Sequence, residues 1–210
     1  MRIVAGRYRR RKLESPRGRN TRPITDRAKE ILFENLGGEL HGERVADVFS
    51  GTGTIALEAI SRGASRAVCF EKDNSTFEIL QQNVRTLQVE ERVVCWKTDV
   101  TKTSFRPRKA EGFYPYDLVF LDPPYRIVPE IRPRTMLYRS CERLARPDVT
   151  DENVLLLLRT PRAPRQSQFE LPDVWVPAWN LDISTMTMHA FRKNPDLVPE
   201  LEATPAAEAP

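Results

Sequence analysis

From Arg44 onward the chain alternates short apolar runs with amphipathic segments, and this alternation most restricts what it can fold into. Val45 to Phe49 reads as a buried strand, followed by a Gly-rich turn and a helix from about Thr54 to Arg62 that Gly63 stops. Ala67 to Glu71 is a second strand. Asn74 to about Gln88 is an amphipathic helix with Phe77, Leu80, Val84 and Leu87 turned inward. Val93 to Trp96, Tyr116 to Leu121 and Val154 to Leu158 supply three more strands, with a helix near Arg134 to Leu144. Strands separated by helices pair in parallel through crossovers, so the expected fold class is α/β, with a Rossmann-like, mostly parallel, doubly wound sheet. Ile183 to Phe191 alternates as a strand does and is expected to pair with one near Val174. The short connection makes that C-terminal pair antiparallel.

The flanks differ in composition from this core. In the first 29 residues, eleven basic side chains face only Glu14 and Asp26. Arg2 to Gly6 and Tyr8 to Leu13 read as two short strands. Thr25 or Asp26 caps a helix reaching about Leu36, whose Ala28, Ile31, Leu32 and Leu36 share one apolar face. Beyond Asn194 the Pro-, Ala- and Glu-rich segment lacks the apolar content to fold and reads as a disordered tail. The expected division is a basic extension over 1–38, a globular domain over 39–193 and the tail over 194–210.

Composition excludes several classes. The three scattered cysteines, Cys69, Cys95 and Cys141, form no CxxC pair, which argues against a disulfide framework or zinc site and fits a reducing, cytoplasmic setting. His41 and His189 are too few for a metal site, so no metal is expected. No apolar run approaches the ~20 residues that span a bilayer, and no apolar segment follows the basic N-terminus as in a signal peptide.

Two segments carry the chemistry. Asp47-Val48-Phe49-Ser50-Gly51-Thr52-Gly53-Thr54-Ile55-Ala56 leaves a strand and opens a helix, and Gly51, Gly53 and Ala56 match GxGxxG/A. Glu71 ends the next strand twenty residues after Gly51, where a carboxylate can accept both ribose hydroxyls of an adenosine. Asp99 sits where a third loop would reach the adenine, or caps a short helix. These residues alone do not separate NAD from S-adenosylmethionine. Asp47, placed to meet the ammonium of a methionine moiety, and the lack of a second nucleotide-binding half lean toward the latter.

Asp122-Pro123-Pro124-Tyr125 follows the fourth strand. Two prolines stiffen the backbone and remove two N–H donors, leaving the Asp122 carboxylate and the Pro123 carbonyl as acceptors. That suits an exocyclic base amine, which has two N–H bonds to donate. Tyr125 adds a flat face for the base.

With both segments in place, the chain resembles the RsmD family of bacterial methyltransferases, which modify the exocyclic N2 of a guanine in 16S ribosomal RNA. MRIVAGRYRRRKL, TRPITDRAKEILFENL, DVFSGTGTIALEAISRGA, CFEKD and LDPPY carry the likeness over roughly residues 1 to 145. It implies a Rossmann-like methyltransferase fold, S-adenosyl-L-methionine as donor and small-subunit ribosomal RNA, within the subunit or an assembly intermediate, as partner. By position, Ser50, Gly51 and Gly53 would line the methionine end, Glu71 the ribose and Asp99 the adenine. Asp122, Pro123, Pro124 and Tyr125 would hold the target base, and the segment Thr21 to Asp26, including Thr25, would close over the donor. Three departures stand out. Arg10 replaces a usual glycine, the fifth strand ends Leu158-Arg159-Thr160 where an acid is usual, and DISTMTMHAF lacks a usual glycine.

The basic arm, through Arg7, Arg9, Arg10, Arg11, Lys12, Arg19 and Arg22, is the expected RNA-binding element, since clustered arginines release counterions from phosphates without reading sequence. Two other readings keep the fold. One is an adenine-N6 methyltransferase of DNA or RNA, disfavoured for DNA because so short a chain shows no separate DNA-recognition domain. The other is a non-catalytic RNA-binding protein, disfavoured by the intact Gly51, Gly53, Glu71 and Asp122 set.

Overall fold

The computed structural model describes residues 1–16, 24–108, 110–162 and 169–197. Its elements are α1 (Asp26–Asn35), β1 (Arg44–Val48), α2 (Thr54–Ser61), β2 (Arg66–Glu71), α3 (Asn74–Leu87), β3 (Val93–Lys97), β4 (Tyr116–Leu121), α4 (Met136–Leu144), β5 (Thr150–Pro161), β6 (Trp175–Ile183) and β7 (Met186–Lys193). They form one seven-stranded sheet of order β3-β2-β1-β4-β5-β7-β6. The first five strands in that order pair in parallel, and β7 runs antiparallel to both β5 and β6. The Rossmann-like, mostly parallel α/β sheet read from the alternation is therefore the fold.

The period of two along the strands explains why both faces are covered. Val45, Ala67, Cys69, Leu118, Phe120 and Leu157 point into one apolar cluster, shared with α1, α2 and α3. Ala46, Val48, Val68, Phe70, Val119, Leu121, Leu156 and Leu158 point into the other, shared with α4. A strand apolar on both faces reads as a continuous run, as YDLVFL and VLLLL do.

Three local expectations change. The two N-terminal strands reduce to a single bridge between Arg2 and Lys12. Ile3 N still donates to Arg11 O, Leu13 N to Met1 O and Arg10 N to Ile3 O, while Val4 N and Ala5 N donate to the Glu58 carboxylate at 2.8 and 3.0 Å and Tyr8 N donates to Ser61 Oγ. Helix α1 begins after Thr25, whose Oγ1 accepts from Ala28 N. Its inner face is Ala28, Lys29, Leu32 and Phe33, with Ile31 and Leu36 half-buried, because Lys29 reaches the Arg2 carbonyl and Glu58. The expected strand over Ile183 to Phe191 is interrupted. A two-residue turn at Ser184 and Thr185 makes β6 and β7 a hairpin, and Ser184 adopts φ 54° without being glycine.

The extension over 1–38 shares the main apolar cluster through Ile3, Leu13, Ile24, Leu32 and Phe33. At the C-terminus, Asn194 N donates to Val174 O and Pro195–Leu197 forms one 3-10 turn, so these first residues of the expected tail are folded. The remainder of that tail lies outside the described residues.

Candidate active site

The order of the sheet reverses at β1, with β2 on one side and β4 on the other, and a crevice forms at the carboxyl ends of such strands. Val48 lies opposite both Phe70 and Leu121, so the loops after β1, β2 and β4 leave the sheet side by side. This brings Ser50, Gly51, Glu71 and Asp122 to one edge.

The turn after β1 holds three left-handed residues, Phe49 (φ 68°), Gly51 (φ 55°) and Gly53 (φ 78°). The two glycines serve different ends. A Cβ on Gly53 would lie 2.4 Å from Leu80 Cδ1, so this glycine lets α3 pack close. A Cβ on Gly51 would meet nothing within 4 Å, so its backbone faces open space, as a ligand-facing turn requires. Phe49 has no such freedom, and its left-handed backbone costs about 1–2 kcal/mol.

Three carboxylates leave β1, β2 and β3 on this side of the sheet. Asp47 is 1% exposed and its Oδ2 accepts from Ala56 N at 3.0 Å, tying β1 to α2. Burial pushes its carboxyl up to about 7, against the pull of the Ala56 N–H. Its shown contact is thus with the helix backbone. Glu71 Oε2 accepts from Gly51 N at 3.0 Å, and Oε1 accepts from Lys72 N and Asp73 N at 2.8 Å each. Burial raises its carboxyl above the ordinary range while the three N–H donors oppose the shift. Glu71 therefore fixes the Gly51 turn directly. Asp99 Oδ1 accepts from Thr101 N and Thr101 Oγ1, and Oδ2 stands 3.7 Å from Lys72 Nζ, which together hold the carboxyl low. The short helix weighed for Asp99 to cap is not formed: its partner Thr101 lies in a turn, and Asp99 itself is half-buried.

Ser50 Oγ is buried, and the weakly bonding Cys69 thiol is its one polar neighbour among the described residues. A buried hydroxyl so weakly satisfied, next to the open Gly51 backbone, fits a turn that receives a polar ligand. Thr25 engages its hydroxyl in capping α1, and Thr21 to Pro23, the rest of the expected closing segment, lie outside the described residues.

At the reaction end, Asp122 N donates to Val48 O, which anchors the residue to β1. Its Oδ1 accepts from Arg159 Nε at 2.5 Å, and no described residue donates to Oδ2. Burial raises the Asp122 carboxyl and Arg159 opposes the shift. The Pro124 carbonyl accepts from Ile127 N, whereas the Pro123 carbonyl receives no hydrogen bond from a described residue. Tyr125 opens a 3-10 turn over Tyr125–Glu130, with the Arg159 guanidinium 5.6 Å from its ring centre. The site thus offers two open acceptors, Asp122 Oδ2 and Pro123 O, beside an aromatic face.

In the sequence, Arg159 stands out only as a departure from an acidic position. Leu121 pairs with Leu158, so the residues after them, Asp122 and Arg159, meet at the same edge. Pairing the ends of the fourth and fifth strands is the signal that could have found it. Glu58, inside an apolar helix, is a second residue that sequence reasoning missed.

The arm is packed rather than loose. Arg7, Arg9, Arg10, Arg11 and Lys12 are exposed on a backbone held to α2, and Arg11 also donates to Thr86 O. Tyr8 is half-buried against the core with the Arg7 guanidinium 5.6 Å from its ring centre. Arg10 adopts φ 69°, which explains why a glycine is favoured there. A cavity of about 420 Å³ lies between arm and α1, lined by Arg2, Arg9, Arg10 and Arg27 with Asp26 and Glu30. Arg19 and Arg22 lie outside the described residues. Among the described residues no His, Cys, Asp and Glu group could hold a metal ion, and no helix is long and apolar enough to cross a membrane.

The model of the family described as Conserved hypothetical protein 95 matches residues 1–175. This chain belongs to that family. Its relatives include the Haemophilus influenzae protein named Ribosomal RNA small subunit methyltransferase D, 31% identical over 170 residues, 75% of this chain and 86% of that one. The Escherichia coli protein of the same name is 37% identical over 127 residues, 60% of this chain and 61% of its own length. The match therefore spans about three-fifths of that relative. Among solved structures, the Escherichia coli protein yhhF superposes with a TM-score of 0.72 at 25% identity, over 92% of this chain and 97% of that one. The resemblance to the RsmD family is borne out by these matches.

Proposed function

We propose that this chain is an S-adenosylmethionine-dependent RNA methyltransferase that acts on the exocyclic N2 amine of a guanine in small-subunit ribosomal RNA. The observation that carries the reading is the pair of open acceptors, Asp122 Oδ2 and Pro123 O, at the sheet edge that also carries the Gly51 turn and Glu71. Ser50, Gly51, Gly53 and Asp47 fit the methionine end of the donor, Glu71 the ribose and Asp99 the adenine side. The bound donor supplies an electrophilic methyl group on a sulfonium.

An exocyclic base amine is a weak nucleophile because its lone pair is delocalised into the ring. Two acceptors that take its two N–H bonds favour a pyramidal nitrogen with the lone pair free. A bound donor would supply the methyl electrophile for that lone pair, with N–C bond formation balanced by C–S cleavage to a neutral thioether, and the methylated nitrogen would be acidic. Asp122 need not be a strong base; it holds the amine and then the departing proton. Most of the acceleration is positioning and electrostatics. Tyr125 supports the base by stacking. Arg7, Arg9, Arg10, Arg11 and Lys12, presented by a backbone hydrogen-bonded to α2, contact RNA phosphates.

The test is transfer of label from methyl-labelled donor to small ribosomal subunits and their assembly intermediates, followed by nucleoside analysis. Label in N2-methylguanosine is expected. Label in N6-methyladenosine instead, or donor binding without transfer to any RNA, overturns the reading.

A further inference from the structure

Asp122 and Arg159 form one unit at the reaction end, and the details of that unit constrain how the carboxylate can act. Their side chains are only 15% and 11% exposed. The contact runs from Nε, the one guanidinium nitrogen inside the side chain, to Oδ1 alone. The rest of the guanidinium lies against the Tyr125 ring. An arginine N–H donates and cannot accept. Of the two Asp122 oxygens, Oδ1 is therefore assigned to Arg159, and Oδ2 is the one left open.

We propose that Arg159 is a positioning residue for methyl transfer: its Nε–H fixes Asp122 so that Oδ2, as an obligate acceptor, is the oxygen presented to the target amine. This rests on the reading of Asp122 as the acceptor for that amine. It has a consequence that a purely structural ion pair does not have. An asparagine at this position has one oxygen and one NH2 group. Arg159 recruits the oxygen, which turns the NH2 donor toward the amine, where donor meets donor. Asp122→Asn is therefore damaged as badly as Asp122→Ala while Arg159 is present. Removing the Arg159 donor lets the amide turn over and offer its oxygen to the amine.

The test is single-turnover methyl transfer to RNA at saturating donor, with rates expressed per donor-binding site measured by calorimetry so that any unfolded fraction drops out. Asp122→Asn is expected to match Asp122→Ala within about threefold. Asp122→Asn combined with Arg159→Met is expected to run at least about tenfold faster than Asp122→Asn alone, a sign-reversed coupling between neighbours. Asp122→Asn combined with Arg159→Lys, which keeps a donor, stays slow. A double variant with Met that is equal to or slower than Asp122→Asn overturns the inference. If Asp122→Ala itself transfers at a near-parental rate, it is the reading of Asp122 that fails.

A second readout is the pH profile. The charged and titratable groups around Asp122 are Arg159 from β5, Asp47 from β1 with Glu71 beyond it on β2, and Tyr125. Burial raises Asp122 and Arg159 opposes it, so losing the cation moves the acid limb of the rate to higher pH. On that limb the rate falls about tenfold for each pH step below the carboxyl's midpoint. Arg159→Met is expected to lose most on the acid side and to recover only in part toward pH 9, whereas Arg159→Lys keeps a parental limb. Complete recovery at high pH contradicts the positioning role, because a lost orientation costs rate at every pH.

Discussion

Two carboxylates, Glu58 fully buried and Asp122 half-buried, are satisfied very differently. Glu58, on α2, is fully buried and receives Val4 N, Ala5 N and Arg62 Nε, with Lys29 Nζ at 3.5 Å. Its donors come from the arm, from α1 and from its own helix, and both oxygens are occupied. Asp122 has one partner, on one oxygen. A carboxylate whose every acceptor position is filled by its own protein can only hold structure together. One left half-open at a sheet edge retains an acceptor for something else. The contrast in partners separates an architectural acid from a chemical one.

The largest effect is expected at the saturated site. Glu58→Ala removes one partner from a buried charge network and should cost about 3–5 kcal/mol of stability, read by urea unfolding. A loss below about 1 kcal/mol would mean the arm is held by its apolar contacts, and the comparison breaks. Asp122→Ala should do the reverse. Donor affinity stays near parental and the stability loss stays below that of Glu58→Ala, while single-turnover transfer falls about 10²–10³-fold, as when a transition-state hydrogen-bond partner is removed. Damage to donor affinity equal to the damage to rate would make Asp122 architectural as well.

Glu71 lies between the two cases, because it holds the Gly51 N–H yet sits at the open edge. Glu71→Ala should weaken S-adenosylmethionine binding by about 1–3 kcal/mol in calorimetry. An unchanged dissociation constant would confine Glu71 to the turn. The smallest effect per residue is expected on the arm. Replacing Arg9, Arg10, Arg11 and Lys12 by Gln should leave stability and donor binding alone. It should flatten the salt dependence of RNA binding by about 0.7 in log–log slope for each lost phosphate contact to a single strand. A slope equal to the parent's would make the arm a solvated face.

Much of the site is legible before folding because its signals are local. Gly51 and Gly53 mark a left-handed turn wherever they fall after an apolar run, and Asp122-Pro123-Pro124 is stiff by covalent structure alone. Thr25 is legible as a helix cap for the same reason. The turn at Ser184 is not, since no glycine, proline or Asn-Gly pair announces it; the pairing of β7 with β5 and β6 places it there. The N-terminal segments do pair, through Ile3 N to Arg11 O and Leu13 N to Met1 O, but a carboxylate fifty-four residues from Val4 ties their other side to α2 and the pairing ends at one bridge.

The sequence by itself determined the α/β alternation, the two covered faces of the sheet, the Gly-rich turn and the Asp-Pro-Pro-Tyr loop, because each follows from backbone freedom or apolar period within a dozen residues. Only the tertiary structure decided which acids are closed and which are open. Arg159 meets Asp122 across 37 residues because β4 and β5 are neighbours with Leu121 opposite Leu158, and Glu58 meets the arm because the chain folds back over α2. Hydrogen-bond satisfaction depends on what surrounds a group in space. A residue's own neighbours in the chain do not specify it.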